Sequence, residues 1–209
     1  MGFPSELALA TRNAGKISEI LEICADWPVR WVLGRRIGAN PEHRVASWPD
    51  VEETGRTYLE NALLKAETVA AAIGVPAVAD DSGIEVDTLG GEPGPRSARF
   101  AGQNATDRQN LERLIEEVRT VPEELRTARY RCVAACLWPD GRRVWAEGVC
   151  EGRLVVEPRG SGGFGYDPIF VPQGEHQRTM AELSPEEKNA ISHRGRALRS
   201  LGHRLRADP

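Results

Sequence analysis

Lysine is the scarcest of the common charged residues in this chain. Of 27 lysines and arginines only three are lysine: Lys16, Lys65 and Lys188. Arginine serves almost every solvated cationic position. A lysine kept in such a chain therefore marks a place where a compact ammonium is wanted and a planar fork is not. Cysteine is scarce as well, with four residues at 24, 132, 136 and 150, no Cys-x-x-Cys pair and no histidines at zinc spacing. This excludes a zinc module and a disulfide framework. It predicts four small buried hydrophobes in a reducing compartment.

A polybasic run is missing too, and the net charge is −4, so the electrostatic footprint of a nucleic-acid binder is absent. Long apolar runs are lacking. The longest, residues 69–79, is broken by Gly74 and Pro76 and is too short to span a bilayer. Met1-Gly2-Phe3-Pro4-Ser5-Glu6 has no basic segment followed by an apolar one, so no secretory signal is expected. The expectation is a soluble cytoplasmic protein with no membrane and no nucleic-acid partner. Its 40% hydrophobic and 28% charged residues over 209 positions suit one globular α/β domain spanning 1–209, with a single core of ordinary size.

The periodicities alternate between strand and helix. Residues 7–11 read as a short buried strand. Residues 14–25 carry apolar side chains at 17, 20, 21 and 24, the helical period. Residues 29–33 suggest a second strand, and 34–55 an irregular connection. Thr57 and Glu60 form a capping box opening a helix to about Ile73, which Gly74 and Pro76 stop. Ala77-Val78-Ala79 is a short strand running into Asp80-Asp81-Ser82-Gly83, and residues 84–86 continue extended. Residues 90–95 are turn-rich. Thr106 and Gln109 cap a further helix, and residues 128–138 and 142–150 form a hairpin across Pro139-Asp140-Gly141. Residues 154–156 suggest another strand. After the glycine-rich loop 160–165, Ser184-Pro185-Glu186-Glu187 starts a helical pattern that reaches about Leu205 and is interruptible at 192–195.

Five segments have chemistry to offer. Thr11-Arg12-Asn13-Ala14-Gly15-Lys16 joins a strand to a helix N-terminus, where free N–H groups and the helix dipole favour a phosphate and Lys16 adds an ammonium. It is not a Walker loop, and capping by Asn13 alone also explains it. Glu53, Asn61 and Lys65 could bind metal and phosphate or be an acidic turn and a surface lysine. Asp80 and Asp81 at a strand end suit Mg²⁺ and a water-activating base, or simply a turn. Gly162-Gly163-Phe164-Gly165-Tyr166-Asp167-Pro168 could let backbone approach a ligand while an aromatic ring stacks on a purine. Alternatively it is a tight loop with Phe164 in the core. Lys188 with Ser192-His193-Arg194 offers donors to carbonyl and phosphate oxygens, or is a basic helix surface.

In this order the five segments resemble the inosine triphosphate pyrophosphatase family, which clears non-standard purine nucleoside triphosphates. The resemblance runs from about Leu7 to about Leu205. Its most specific pieces are residues 79–83, 161–170 and 186–195, and all three lysines fall on motif positions. It implies an elongated mixed α/β sheet in two lobes around a central nucleotide-binding cleft, usually a homodimer, with Mg²⁺ as cofactor. The reaction implied is cleavage of ITP, dITP or XTP to nucleoside monophosphate and pyrophosphate. Thr11, Arg12, Asn13, Ala14, Gly15 and Lys16 would hold the triphosphate, with Lys65 and Ser82 near the phosphates. Glu53 and Asp81 would hold Mg²⁺, and Asp81 would be the catalytic proton acceptor. The role of Asp80 is not separable from that of Asp81 by resemblance. Phe164 would stack on the base, with Gly165, Tyr166 and Asp167 completing that wall. Lys188, His193 and Arg194 would read the 6-keto edge. Arg12 stands where many members have glycine.

Two other readings compete with this one. A silent nucleotide-binding regulator on the same fold would need fewer carboxylates beside a polyanion than Glu53, Asp80 and Asp81 supply. A pyrophosphatase for modified pyrimidines fits less well with His193-Arg194 following Lys188.

Overall fold

The computed structural model describes residues 2–34, 43–175 and 177–207. Part of the connection expected over 34–55, residues 35–42, lies outside the described residues. Seven strands form one mixed sheet in the order β3-β2-β1-β4-β5-β6-β7. The chain divides into two compact units: Met1–Asp81 with Cys132–Gly148 and Arg194–Pro209, and Ser82–Arg131 with Val149–His193.

In the first unit β1 (Glu6–Leu9) pairs in parallel with β2 (Arg30–Leu33), in the register Glu6 to Arg30 through Leu9 to Leu33. On its other side β1 pairs in parallel with β4 (Ala77–Val86) at Ala8 to Ala77 and Leu9 to Val78. Leu7, Ala8 and Leu9 are all buried, as a parallel strand covered on both faces requires. A short β3 (Arg44–Val45) pairs in parallel with β2. Helix α1 (Ala14–Ile23) buries Ile17 and Ile20 in a core shared with Val78, Cys132 and Leu198.

Helix α2 (Tyr58–Ile73) begins at the expected Thr57–Glu60 capping box and ends at Gly74, whose φ of 70° is the left-handed cap that glycine adopts without steric cost. Three alanines line its buried stripe: Ala66 and Ala70 pack in one core with Ala77 and Ala79 of β4, and Ala62 packs with Val133 and Ala135. Asn61 and Lys65 lie on that same buried stripe, one turn apart. Buried polar side chains are the informative exception to an apolar face.

The second unit contains α3 (Asp107–Val118), capped by Thr106 and Gln109 as expected, β7 (Phe170–Pro172) and α4 (Pro185–Ile191). Its core gathers Ile84, Leu114, Val118, Tyr130, Tyr166, Phe170 and Met180. Three long strands pass from one unit to the other: β4, β5 (Thr127–Leu137) and β6 (Arg143–Leu154). At the hairpin tip the Trp138 N–H donates to the Arg142 carbonyl at 2.9 Å.

Two local expectations are corrected. Asp80-Asp81-Ser82-Gly83 is no turn: β4 is unbroken from Ala77 to Val86, with both carboxylates inside the strand. Aspartate disfavours strands in general, but here each carboxylate finds a cation, which offsets its burial. The strand expected at 154–156 is instead the end of β6, which reaches Leu154. The last helical stretch does break where the sequence allowed, at Ser192, which is extended with φ −65° and ψ 155°, and α5 (His193–Ala207) follows. All four cysteines are buried, and none is in a disulfide. Among the described residues no helix is long and apolar enough to cross a membrane.

Candidate active site

Strand geometry separates the two adjacent aspartates. Consecutive strand side chains point to opposite faces. Val78 packs in the core with α1 and α5, whereas Ala77 and Ala79 pack in the core with α2. Asp80 therefore shares the face of Val78, and Asp81 that of Ala79.

On the α1 and α5 face, Asp80 Oδ2 accepts from Arg194 Nε and Nη2, each at 3.1 Å, and pairs with Lys16 Nζ at 3.1 Å. Arg194 Nη1 donates to Glu19 Oε2. Arg194 is 2% exposed, and Cys132 Sγ lies 3.9 Å from Asp80 Oδ2. Burial works to raise the Asp80 carboxyl, but Lys16, Arg194 and Lys65 outweigh it and hold the group well below the usual carboxylate range. Burial likewise works against the Arg194 charge, and Asp80 and Glu19 overcome it. Asp80 is thus held as an ionised counter-ion to Lys16 and Arg194.

On the α2 face, Asp81 Oδ2 accepts from Asn61 Nδ2 at 3.0 Å, and Asp81 Oδ1 lies 3.4 Å from Lys65 Nζ. Lys65 Nζ also donates to Glu53 Oε1 at 2.9 Å. Asn61 Oδ1 accepts from the Gly55 N–H at 2.8 Å, tying the Glu53-Thr54-Gly55 turn to the strand that carries Asp81. Burial raises Asp81 above its ordinary value, and Lys65 and Lys16 do not fully offset it. Burial works to lower Lys65, yet Asp81, Glu53 and Asp80 hold it charged. Two neighbouring carboxylates are thus driven apart in basicity, which is how a proton acceptor is told from a structural charge.

The loop before α1 is arranged around its cap. Asn13 Oδ1 accepts from the Lys16 N–H at 3.1 Å, and Thr11 Oγ1 from the Asn13 N–H at 3.2 Å. Ala14 and Gly15 form the first turn, so Asn13 does cap the helix, in a way that leaves an anion-favouring terminus at Ala14 and Gly15. Arg12 reaches away to Asp50 and the Trp48 carbonyl.

The second cluster belongs to the second unit. Asp167, 3% exposed, accepts on Oδ2 from Lys188 Nζ at 2.5 Å and from the Phe164 N–H at 2.8 Å. On Oδ1 it accepts from the Tyr130 hydroxyl at 3.3 Å. Lys188 Nζ sits 4.9 Å from the centre of the Phe164 ring. A Cβ on Gly163, where φ is 69°, would lie 2.0 Å from Asp167 Oδ2, so this turn admits glycine alone. Gly165 N–H donates to Asp107 at 3.2 Å. The imidazole of His193 stacks on Tyr130, with ring centres 4.5 Å apart and planes 9° from parallel.

The structure thus joins Glu53, Lys65 and Asp81 in one cluster, and Phe164, Asp167 and Lys188, with His193 through Tyr130, in another. Two residues differ from their expected place. Arg194, expected at the base edge, has its guanidinium hydrogen-bonded to Asp80 and Glu19 from the first turn of α5, which begins at His193 after the break at Ser192. Tyr166 is a core residue whose hydroxyl donates to the Ser97 carbonyl at 2.7 Å, so it braces the loop from within. Ser82, partly buried, continues β4 just after Asp81. Sequence reasoning missed Glu19 and Tyr130. Glu19 stands one helical turn after Lys16, a spacing that could have revealed it. Tyr130 carries no local signal, because its partners lie far along the chain.

The Ham1 family model matches residues 7–204. A relative from Streptomyces coelicolor, named dITP/XTP pyrophosphatase, is 51% identical over 197 residues, covering 94% of this chain and 95% of its own length. One from Escherichia coli O157:H7 with the same name is 45% identical over 203 residues, covering 96% and 98%. The solved structure of a HAM1 protein from Coxiella burnetii superposes with a TM-score of 0.82 at 41% identity, covering 97% of this chain and 98% of that one. Sequence, fold and relatives therefore agree, and the chain belongs to the Ham1 family.

Proposed function

We propose that this protein hydrolyses non-standard purine nucleoside triphosphates, ITP, dITP and XTP, to the monophosphate and pyrophosphate with Mg²⁺. It is a nucleoside triphosphate pyrophosphatase, in line with curated relatives named dITP/XTP pyrophosphatase. The observation that carries the reading is the Asp81 environment: a buried, basic carboxylate facing Lys65 and Glu53, backed by a neighbour that is locked as a counter-ion.

The donor set fits Mg²⁺. Glu53 and Asp81 present two carboxylate oxygens to one small cationic group, and no group of three or more His, Cys, Asp or Glu able to hold a metal occurs among the described residues. A hard cation held by one or two carboxylates, with water and substrate oxygens completing its shell, is the habit of Mg²⁺. When bound, Mg²⁺ would neutralise charge on the phosphate oxygens.

The chain's own residues do the rest. The first turn of α1 and Lys16 receive the triphosphate, and Lys65 adds an ammonium to its oxygens. Asp81 accepts a proton from the attacking water. The water oxygen bonds to the α-phosphorus, the bond from that phosphorus to the bridging oxygen breaks, and its electron pair leaves with pyrophosphate. Phe164 stacks on the base, and His193 and Lys188 present donors to the 6-keto oxygen. A 6-amino group there would set donor against donor and leave polar groups unpaired. The working form is a cytoplasmic homodimer.

The test is a panel of triphosphates assayed for pyrophosphate. ITP, dITP and XTP are expected to exceed ATP in kcat/KM by at least about 10²-fold. Equal turnover of ATP and ITP sinks the assignment. Within the same panel, Tyr130→Phe keeps the ring that stacks on His193 and should hold the ITP to ATP ratio within about threefold of wild type, since it loses one weak hydrogen bond. Tyr130→Leu removes the stacked ring and should narrow the ratio by about tenfold, the order of an aromatic pair. A ratio unchanged in the leucine variant shows that His193 does not read the base.

A further inference from the structure

Lys65 carries more than a phosphate-binding role. Its ammonium stands between Glu53 Oε1 at 2.9 Å and Asp81 Oδ1 at 3.4 Å. These are the two carboxylates assigned to Mg²⁺ above, and the inference rests on that assignment. The side chain of Lys65 is 10% exposed and that of Asp81 5%, so neither exchanges its partner freely for water. A divalent cation at the two carboxylates and an ammonium at oxygens of the same two groups repel each other, so each weakens the hold of the other.

An ammonium displaced within this buried region needs another acceptor, because an unpaired buried charge is costly. Two nearby protein acceptors are already engaged. Asp80 Oδ2 already receives Lys16 and both Arg194 nitrogens, and Asn61 Oδ1 receives the Gly55 N–H. Phosphate oxygens of the substrate are the acceptors that would relieve Lys65. We infer that Lys65 is an internal counter-ion that competes with the divalent cation for Glu53 and Asp81, so that a triphosphate, by taking Lys65 onto its own oxygens, raises the affinity of the protein for the cation. Cation and triphosphate then bind as a coupled pair, and the coupling is reciprocal.

The experiment follows Mn²⁺ binding by the loss of its free paramagnetic signal, in the full chain, with and without an ITP analogue whose α–β bridge is a methylene. The site is identified as the one lost in Glu53→Gln. Without the analogue, Lys65→Met is expected to bind Mn²⁺ at this site about tenfold or more tighter than wild type. In wild type the analogue should tighten Mn²⁺ by a factor within about 5–150, the usual span of coupling between sites, and in Lys65→Met by a clearly smaller factor. Lys65→Arg, which keeps the charge, should stay near wild type in the absence of analogue. Equal or weaker Mn²⁺ binding by Lys65→Met overturns the inference. If that variant is too unstable to titrate, its rise in melting temperature with Mn²⁺ is read instead: a larger rise than in wild type supports the competition, and an equal or smaller one overturns it. Failure here is distinct from failure of the proposed activity. Pyrophosphate release from ITP with no change in Mn²⁺ affinity on losing Lys65 removes only the competition. Tighter Mn²⁺ binding in a protein that does not hydrolyse ITP removes only the activity.

Discussion

Asp81→Asn is expected to lower kcat by about 10²–10⁴-fold, the range for loss of a positioned acid–base group, while the melting temperature stays within a few degrees of wild type. The fold should tolerate the change because asparagine has nearly the same shape. Its side-chain oxygen can still accept from Asn61 Nδ2, and Lys65 keeps Glu53 at 2.9 Å. Chemistry should not tolerate it. An amide accepts no proton at neutral pH and is a poor ligand for a hard cation. Asp81 is also the more basic of the adjacent pair, raised by burial where Asp80 is lowered by Lys16 and Arg194. Steady-state pyrophosphate release and a thermal melt on one preparation decide the matter. Near-normal turnover with an unchanged Mg²⁺ requirement removes Asp81 from the reaction.

Asp80→Asn should show the opposite profile, with stability falling first. The substitution leaves Arg194, 2% exposed, with Glu19 but without the charge that also balances Lys16. Removing one partner of a buried ion pair costs about 3–5 kcal/mol, most of it the burden of the charge left behind. The expected result is a clear fall in the urea midpoint at neutral pH. The pH dependence has a definite sign. A carboxyl held below its ordinary value in the folded state adds stability above that ordinary value, near 3.8, and loses it as the pH falls toward the folded value. The gap between wild type and Asp80→Asn should therefore be constant from neutral pH down to about 4 and narrow below it. Equal midpoints at neutral pH, or a gap that widens in acid, contradict the counter-ion role. Together the two variants are expected to separate residues that are adjacent in the chain, one by its effect on turnover and the other by its effect on stability.

Much of the architecture was legible because helix starts are written locally. Thr57 with Glu60, Thr106 with Gln109 and Ser184 with Glu187 all form the capping boxes their spacing predicts. Each needs only four residues to meet. The candidate chemistry was legible by residue type and by the sparing use of lysine, since Lys16, Lys65 and Lys188 all sit in polar clusters with an aspartate partner. Asp80-Asp81-Ser82-Gly83 misled for a physical reason. Its composition is that of a turn, and only cations from α1, α2 and α5 make its burial inside β4 tolerable.

By itself, the sequence determined where helices begin, which strands are apolar on both faces and which side chains are available for phosphate, metal and base. Those properties depend on neighbours a few residues apart. The tertiary structure decided which of these groups meet. Strand alternation sends Asp80 to one face and Asp81 to the other, and the break at Ser192 gives Arg194 to Asp80, 114 residues away, while His193 stacks on Tyr130. Charges that compete for the same few partners are assigned by the faces and registers on which the fold places them, and those are fixed only when distant segments pack.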